Sequence, residues 1–466
     1  MSENKSVINK PGTVNENKMG VMPISRLLIT MTVPIMLSML VQALYNIVDS
    51  IYVSRVGENA LTALSLAFPI QILMIAVITG TGVGINALLS KSLGEKNQDR
   101  VNKTAINGIF LGLISSIAFA VFGLFFTRLF FMSQTNITEI IDYGTSYLSI
   151  VTICSFGLVG QITFERLLQS TGRTFLSMIA QIFGAVINII LDPILIFGYF
   201  GLPKLGVAGA AVATVISQFL AMGLAILFNL TLNKEIKLKF RGFKPSIDII
   251  ARIYAVGIPT AIMISIGSVM TYGLNRILIS FTPTANAVFG VYYRLQSFIY
   301  MPVFGLNNGM IPIISYNYGA ANKDRIVKTV KLSIIYATVI MIAGFALFQF
   351  FSVSFLSMFN ATDDMMAIGV PALRIISISF IFAGFCIVST SVYQALGSGL
   401  PSMFVSLARQ LLALLPLAYL LSKTGGLDAV WWSFPIAEIV SVTLSVIFLK
   451  YFYRTKIKPL SYKNAA

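Results

Sequence analysis

A single offset of 225 residues lays the first half of this chain over the second. Pro34 falls on Pro259, Gln71 on Gln296, Gly80 on Gly305 and Gly84 on Gly309. From Gly80 to Thr104 the register runs without a gap and nine of 25 positions are identical, among them Ser90/Ser315, Gly94/Gly319, Asn97/Asn322, Asp99/Asp324 and Arg100/Arg325. Gly144/Gly369, Gln169/Gln394, Gly172/Gly397 and Ser177/Ser402 obey the same offset. One register surviving over so long a stretch marks a duplicated domain, so the fold is built from two copies of one unit.

The solvent of that fold follows from composition. Hydrophobic residues make up 56% of the chain and charged ones 11%, whereas soluble domains carry about 25% charged residues. Crossing about 30 Å of hydrocarbon takes roughly 20 apolar residues. Runs of that kind cover 26–53, 60–90, 104–131, 137–164, 174–200, 205–232, 251–281, 285–315, 327–352, 366–394, 402–422 and 428–453. They are continuous rather than alternating, which excludes a β-barrel, and lipid accepts only helices or closed barrels. The fold class is therefore an all-α integral membrane protein of twelve transmembrane helices in two parallel six-helix repeats. The expected units are a tail over 1–24, a first lobe over 25–233, a connector over 234–250, a second lobe over 251–453 and a tail over 454–466.

Basic residues set the orientation through the positive-inside rule. With the N-terminus in the cytoplasm, the inner segments hold Lys91, Lys96, Arg100 and Lys103, the connector Lys234, Lys237, Lys239, Arg241 and Lys244, and the second lobe Lys323, Arg325, Lys328 and Arg409. The outer loops hold only Arg55, Arg128, Lys204, Arg276 and Lys423. Both ends are expected in the cytoplasm, with no cleavable signal before the first span. Six is even, so each half begins and ends on the same side and the repeats are related by an axis along the membrane normal. The net charge of +16 then belongs to loops that meet lipid head groups, and no nucleic-acid partner is expected. Two cysteines, Cys154 and Cys386, make no disulfide framework or metal cluster, and there is no histidine. Proton chemistry must use carboxylates. With no recognisable nucleophile motif either, the chain does not read as an enzyme.

Carboxylates inside the spans are few: Asp49, Glu165, Asp192 and Glu438. Placing an acid in hydrocarbon costs about 2.5–3.5 kcal/mol, so each is a functional candidate. In the first span Ser38, Gln42, Tyr45 and Asp49 follow steps of four, three and four and share one face. In the fifth, Gln181, Asn188 and Asp192 do the same, with Pro193 next. At 1.5 Å per residue, Asp49, Asn188, Asp192 and Thr214 of the sixth span lie at similar depth in the outer half of the bilayer. Carboxylates, an amide and a hydroxyl are the hard oxygen ligands that small cations prefer, and two acids sharing a proton would also serve H+. A plainer reading pairs Asp49 with Arg55 and ends a shorter fifth helix at Pro193. Glu165 with Arg166 reads as a solvated pair at the inner end of the fourth span.

The second half lacks these acids, because the offset converts Asp49 to Leu274 and Asp192 to Leu417. Its own acid, Glu438, lies near the level of Arg294 and Arg374, and an ion pair or triad among the three is expected. A substrate surface is read along the eighth span at Tyr293, Gln296, Tyr300 and Asn307, joined by Tyr272 and Asn275 of the seventh and by Gln42, Tyr45 and Gln71. Abundant Phe (35) and Met (19) suit a plastic apolar cavity for bulky cations.

The runs Val48-Asp49-Ser50-Ile51-Tyr52-Val53, Asn188-Ile189-Ile190-Leu191-Asp192-Pro193, Gly206-Val207-Ala208-Gly209-Ala210-Ala211-Val212-Ala213-Thr214 and Tyr316-Asn317-Tyr318-Gly319-Ala320 together resemble the multidrug and toxic compound extrusion (MATE) family, in its DinF- and MepA-like branch. The resemblance covers almost the whole chain after its first 20 residues. It implies a V of two six-helix lobes in the bacterial cytoplasmic membrane, and export of organic cations in exchange for H+ or Na+ by alternating access. It implies no cofactor, and nothing in the chain demands more than a monomer. It also assigns the first-lobe cation site to Asp49, Asn188, Asp192 and Thr214, with the Ala210 carbonyl as a further ligand. Acids that some branches carry in the seventh and tenth helices have no match here. The alternative within the same superfamily is a lipid-linked oligosaccharide flippase, for which Arg294 and Arg374 would serve as anion-binding groups.

Overall fold

Each apolar run folds as a helix, because hydrocarbon offers backbone polar groups no partner outside their own segment. The computed structural model describes residues 17–359 and 361–460. Its spans are α1 (Ile24–Ser54), α2 (Glu58–Gly94), α3 (Gln98–Phe125), α4 (Thr138–Ile153 and Phe156–Ser170, bent by 44°), α5 (Thr174–Phe197) and α6 (Val207–Thr231). The second set is α7 (Ile247–Ile279), α8 (Pro283–Gly319), α9 (Lys323–Ser357), α10 (Asp363–Ser377 and Phe380–Ala395, bent by 48°), α11 (Leu400–Thr424) and α12 (Gly426–Ile457). These are the twelve expected spans, six to a lobe. Of the expected tails, residues 1–16 and 461–466 lie outside the described residues.

The repeat extends to single bonds. Asn97 caps α3 by accepting from the Arg100 amide, and Asn322 caps α9 by accepting from Arg325. Ser90 donates to the Ser170 carbonyl and Ser315 to the Ala395 carbonyl, each at 2.8 Å. Lys96 and Ala321, again 225 apart, both take positive φ, at 58° and 54°. The bends of α4 and α10 occupy matching places as well.

The lobes join where α1 packs on α8 and α2 packs on α7 and α8. Glycine permits this, since a helix surface without Cβ atoms lets another backbone approach. A Cβ on Gly84 would run into the Ile253 carbonyl, one on Gly94 into that of Tyr316, and one on Gly319 into that of Lys91. Gly94 against Tyr316 and Gly319 against Lys91 are a single contact seen twice, exchanged by the offset. Gly80 against Ala261 and Gly305 against Met36 form another such pair. All of these positions lie in the half of the spans nearest the N-terminus, here called the terminal side.

Polar bonds reinforce that side. A one-turn helix, Lys18–Val21, precedes α1. Asn17 donates to the Thr171 carbonyl of the first lobe and to Glu235 Oε1 of the connector that follows it, both at 3.0 Å. Arg325 of the second lobe donates to the carbonyls of Met19 (2.9 Å) and Met22 (2.8 Å). The described end of the expected tail is therefore a strap across both lobes. Burial, with Arg173 nearby, holds the Lys18 ammonium below its ordinary pKa. Arg166 donates to Asn308 Oδ1 across the seam at 3.1 Å and to Gln169 Oε1 at 3.0 Å, and Gln161 donates to Glu165 at 3.0 Å. Glu165 and Arg166 are both buried, which corrects the solvated-pair reading: the second half of α4 turns them into the bundle.

Gly84→Val should keep the lobes from meeting. Overpacking of this kind costs about 1–3 kcal/mol, so the variant should expose Cys probes placed at Met36 or Ala261 to labelling on the terminal side, where the native chain protects them. Equal protection would remove the glycine contacts from the closure.

Candidate cation site

The polar stripe of α1 faces the stripe of α5. Gln181 donates to Gln42 Oε1 at 2.8 Å, fixing the register of the two helices. Two turns further along α5, the Asn188 amide donates to Asp192 Oδ1 at 3.2 Å and to Thr214 Oγ1 at 3.4 Å, tying α5 to α6. Asp49 of α1 lies close enough for its charge to act on Asp192. Tyr45 stands within electrostatic reach of both acids, and so does Tyr147 of α4. Ala210 is buried in the first turn of α6, one turn before Thr214. Asp49, Asn188, Asp192 and Thr214 are thus brought to one place.

Pro193 does not end α5, which continues to Phe197. Its ring removes the amide that would bond the Ile189 carbonyl four residues back. Asp49 makes no ion pair with Arg55 among the described residues. Neither plainer reading holds.

The site has more acceptors than donors. Asp192 is 0% exposed and Asn188 2%. Asp49 Oδ1, Asn188 Oδ1 and Asp192 Oδ2 are buried without a hydrogen-bond partner. Buried polar atoms are nearly always paired, and unpaired buried carboxylate oxygens are costly. Three oxygens from three side chains, gathered from two helices, are chemically fit for a proton shared between acids or for a small hard cation.

Tyr147 escaped the sequence reading. Its hydroxyl accepts from Gln71 at 2.9 Å, so Gln71 belongs to the rim of this cluster. Tyr147 stands in the fourth span between Ser146 and Leu148, four residues after Tyr143, and nothing in that spacing points to the acids of the first and fifth spans.

The second lobe differs from expectation. Glu438 pairs with Arg409, at 3.1 Å, and not with Arg294 or Arg374, which are exposed and form no ion pair among the described residues. The reading counted depth along the membrane and left out helical phase. On α8 the inward face carries Tyr292 and Tyr300, and Arg294, two residues beyond Tyr292, points about 200° away. Arg409, counted at first among inner-loop charges, lies within α11 on a widened π-helical stretch, Ala408–Leu414.

The substrate surface also splits. Tyr272 and Tyr293 are exposed, at 67% and 46%, and Asn275 and Gln296 are half-buried. Tyr300 and Asn307 are buried inside the second lobe, Tyr300 edge-on to Phe380 and Asn307 donating to the Ile387 carbonyl at 3.4 Å. Gln42 and Tyr45 stay with the first-lobe stripe.

Two pseudo-symmetric lobes of spanning helices, with acids buried between the helices of one of them, define a multi-pass membrane transporter rather than an enzyme. The MatE family model matches residues 34–194 and 259–420, once in each lobe, and the chain belongs to that family. It is 28% identical over 436 residues to the multidrug export protein MepA of Staphylococcus haemolyticus, covering 91% of this chain and 93% of the relative. To MepA of Staphylococcus aureus it is 24% identical over 440 residues, covering 93% and 95%. Its fold matches the outward-facing conformation of a multidrug resistance MATE family transporter of the MOP superfamily, with TM-score 0.89, 24% identity and coverage of 97% and 100%. It also matches a MOP superfamily transporter from Pyrococcus furiosus, with TM-score 0.87, 23% identity and coverage of 97% and 99%.

Removing the Tyr147 hydroxyl tests the rim of the cluster. Tyr147→Phe and Gln71→Leu should each destabilise the protein, and the pair should be non-additive by about 0.5–1.5 kcal/mol, the worth of one hydrogen bond. Thermal unfolding in detergent reads this, and additive shifts would break the assignment.

Proposed function

We propose that this protein is a secondary antiporter that exports organic, mostly cationic and amphipathic compounds in exchange for H+ or Na+ by alternating access. The observation that carries this reading is the cluster of Asp49, Asn188, Asp192 and Thr214, with three buried oxygens free to take a cation. Export of drugs is the function named for its MepA relatives, and family membership supports extending it here.

The mechanism follows from two arrangements of the lobes. In the one described, the glycine contacts and the strap close the terminal side, which the distribution of basic residues assigns to the cytoplasm. A cation entering the first-lobe site neutralises the acids and favours an arrangement in which that side opens; a cationic drug favours the other, so each ligand promotes release of its counterpart. A groove of about 450 Å3 between α2 and α7, lined by Leu73, Val77, Ile258, Ile262 and Val269 with Thr81 and Ser265, suits the apolar part of an amphipathic substrate. The protein acts as a monomer, with lipid head groups around its basic loops.

Ethidium efflux from proteoliposomes under an imposed H+ gradient and, separately, an Na+ gradient tests the proposal. The native chain should move dye under one of them. Asp192→Asn should slow the initial rate at least about tenfold, within the reach of a coupling free energy of about 1–3 kcal/mol. If no dye moves under either gradient, drug export fails and lipid-linked sugars become the substrates to try. Normal transport by the variant would place coupling elsewhere.

A further inference from the structure

The offset that relates the lobes carries Gly184 onto Arg409 and Ala213 onto Glu438. The charged pair of the second lobe therefore lies on α11 and α12, the counterparts of the helices α5 and α6 that build the first-lobe site. Asn188, Asp192, Thr214 and Asp49 fall on Ala413, Leu417, Ile439 and Leu274, so none of the first-lobe site's side chains survives. Within a helical turn of those lost positions stand a carboxylate and a guanidinium instead.

Their geometry is that of an enclosed acid held by a half-buried arginine, whose side chain is 28% exposed. Arg409 Nη1 donates to Glu438 Oε2 at 3.1 Å, the Glu438 side chain is 4% exposed, and its Oε1 is buried without a hydrogen-bond partner. The other titratable groups within electrostatic reach are Tyr292, Tyr300 and Cys386, which are neutral at physiological pH in their ordinary states. Arg409 is thus the one fixed cation facing Glu438 among the described residues.

The backbone departs from symmetry at the same place. Ala408–Leu414 is π-helical, whereas its counterpart, residues 183–189, is regular helix within α5. A π-turn widens the helix and rotates its side chains, and such turns recur at functional sites. In the first lobe a Cβ on Gly184 would stand 2.9 Å from the Ala221 Cβ, which leaves no room for a long side chain. The widened turn of α11 holds an arginine there.

We infer that Arg409 is a tethered cation: its guanidinium permanently holds the place in the second lobe that an exchangeable cation takes in the first, and Glu438 is the ligand of a latent site for H+ or Na+. The inference rests on the antiport reading of the first lobe. A guanidinium does not lose its proton in proteins, so this site neither titrates nor exchanges, and the protein couples through one lobe. Without Arg409, Glu438 would be a buried unpaired carboxylate, which takes up a proton or a small cation.

The test counts cations on purified protein, by radioactive Na+ binding and by proton release into unbuffered solution containing an indicator dye. Native chain, Arg409→Met, Glu438→Gln and the double variant Arg409→Met/Glu438→Gln are compared. Arg409→Met should bind one more Na+ or H+ per chain than the native protein, and the double variant should lose that increment. A folded Arg409→Met with the native count would overturn the inference and leave the pair purely structural. A native count of zero would sink the first-lobe reading alone, because the increment between variants still decides the second lobe. Should Arg409→Met not fold, Arg409→Ala prepared in millimolar guanidinium chloride takes its place. Folding restored by guanidinium, at one ion per chain and dependent on Glu438, supports the tethered cation, and failure of guanidinium, Na+ and low pH alike to restore it overturns it.

Discussion

Backbone meets backbone across the seam between the lobes, and the rest of the molecule is arranged around that approach. Gly84, Gly94 and Gly319 sit where any side chain would strike a carbonyl of the other lobe. Helices in lipid gain little from burying apolar surface against each other, so close van der Waals contact between small residues has to hold them. Of the long helices that carry this contact, α2 and α7 also frame the groove, and on the same side of the molecule Arg166 meets Asn308 and the strap meets Arg325. A seam made of small residues and a few hydrogen bonds lets the backbones approach closely, and large buried side chains of both lobes, among them Leu28, Met31, Val83, Ile253, Leu306 and Met310, pack around it.

Duplication supplied two equivalent sets of helices, and their charges differ. The first lobe retains acids whose oxygens lack internal donors, which leaves room for an exchangeable positive charge. The second has internalised its positive charge as a side chain and changed the helix geometry to fit it. Both arrangements answer the same constraint, that a carboxylate in a low-dielectric interior requires a cation or a proton. They differ in whether that cation can leave.

Much of this was legible in the residues. Continuous apolar runs dictated helices because lipid permits nothing else, and the constant offset of 225 dictated two lobes with a shared topology. Helical spacing placed Asp49 on one stripe and Asn188 with Asp192 on another, and equal depth brought Thr214 to them. These depend on local geometry, rise per residue and residues per turn, which a sequence carries directly.

Tertiary packing decided the remainder. Only the docking of α4 against α2 brings Tyr147 to Gln71, and only the azimuth of α8 turns Tyr300 into the second lobe while Tyr293 faces outward. Arg409 was read as a loop charge and Arg294 as the partner of Glu438, because depth along the membrane can be counted from the sequence while rotation about a helix axis relative to its neighbours cannot. The π-helical stretch in α11 shifts that rotation again. By itself the sequence determined how many spans there are, roughly where each lies, and which side chains share a face; which faces meet was decided by packing, because it depends on the summed contacts of residues far apart in the chain.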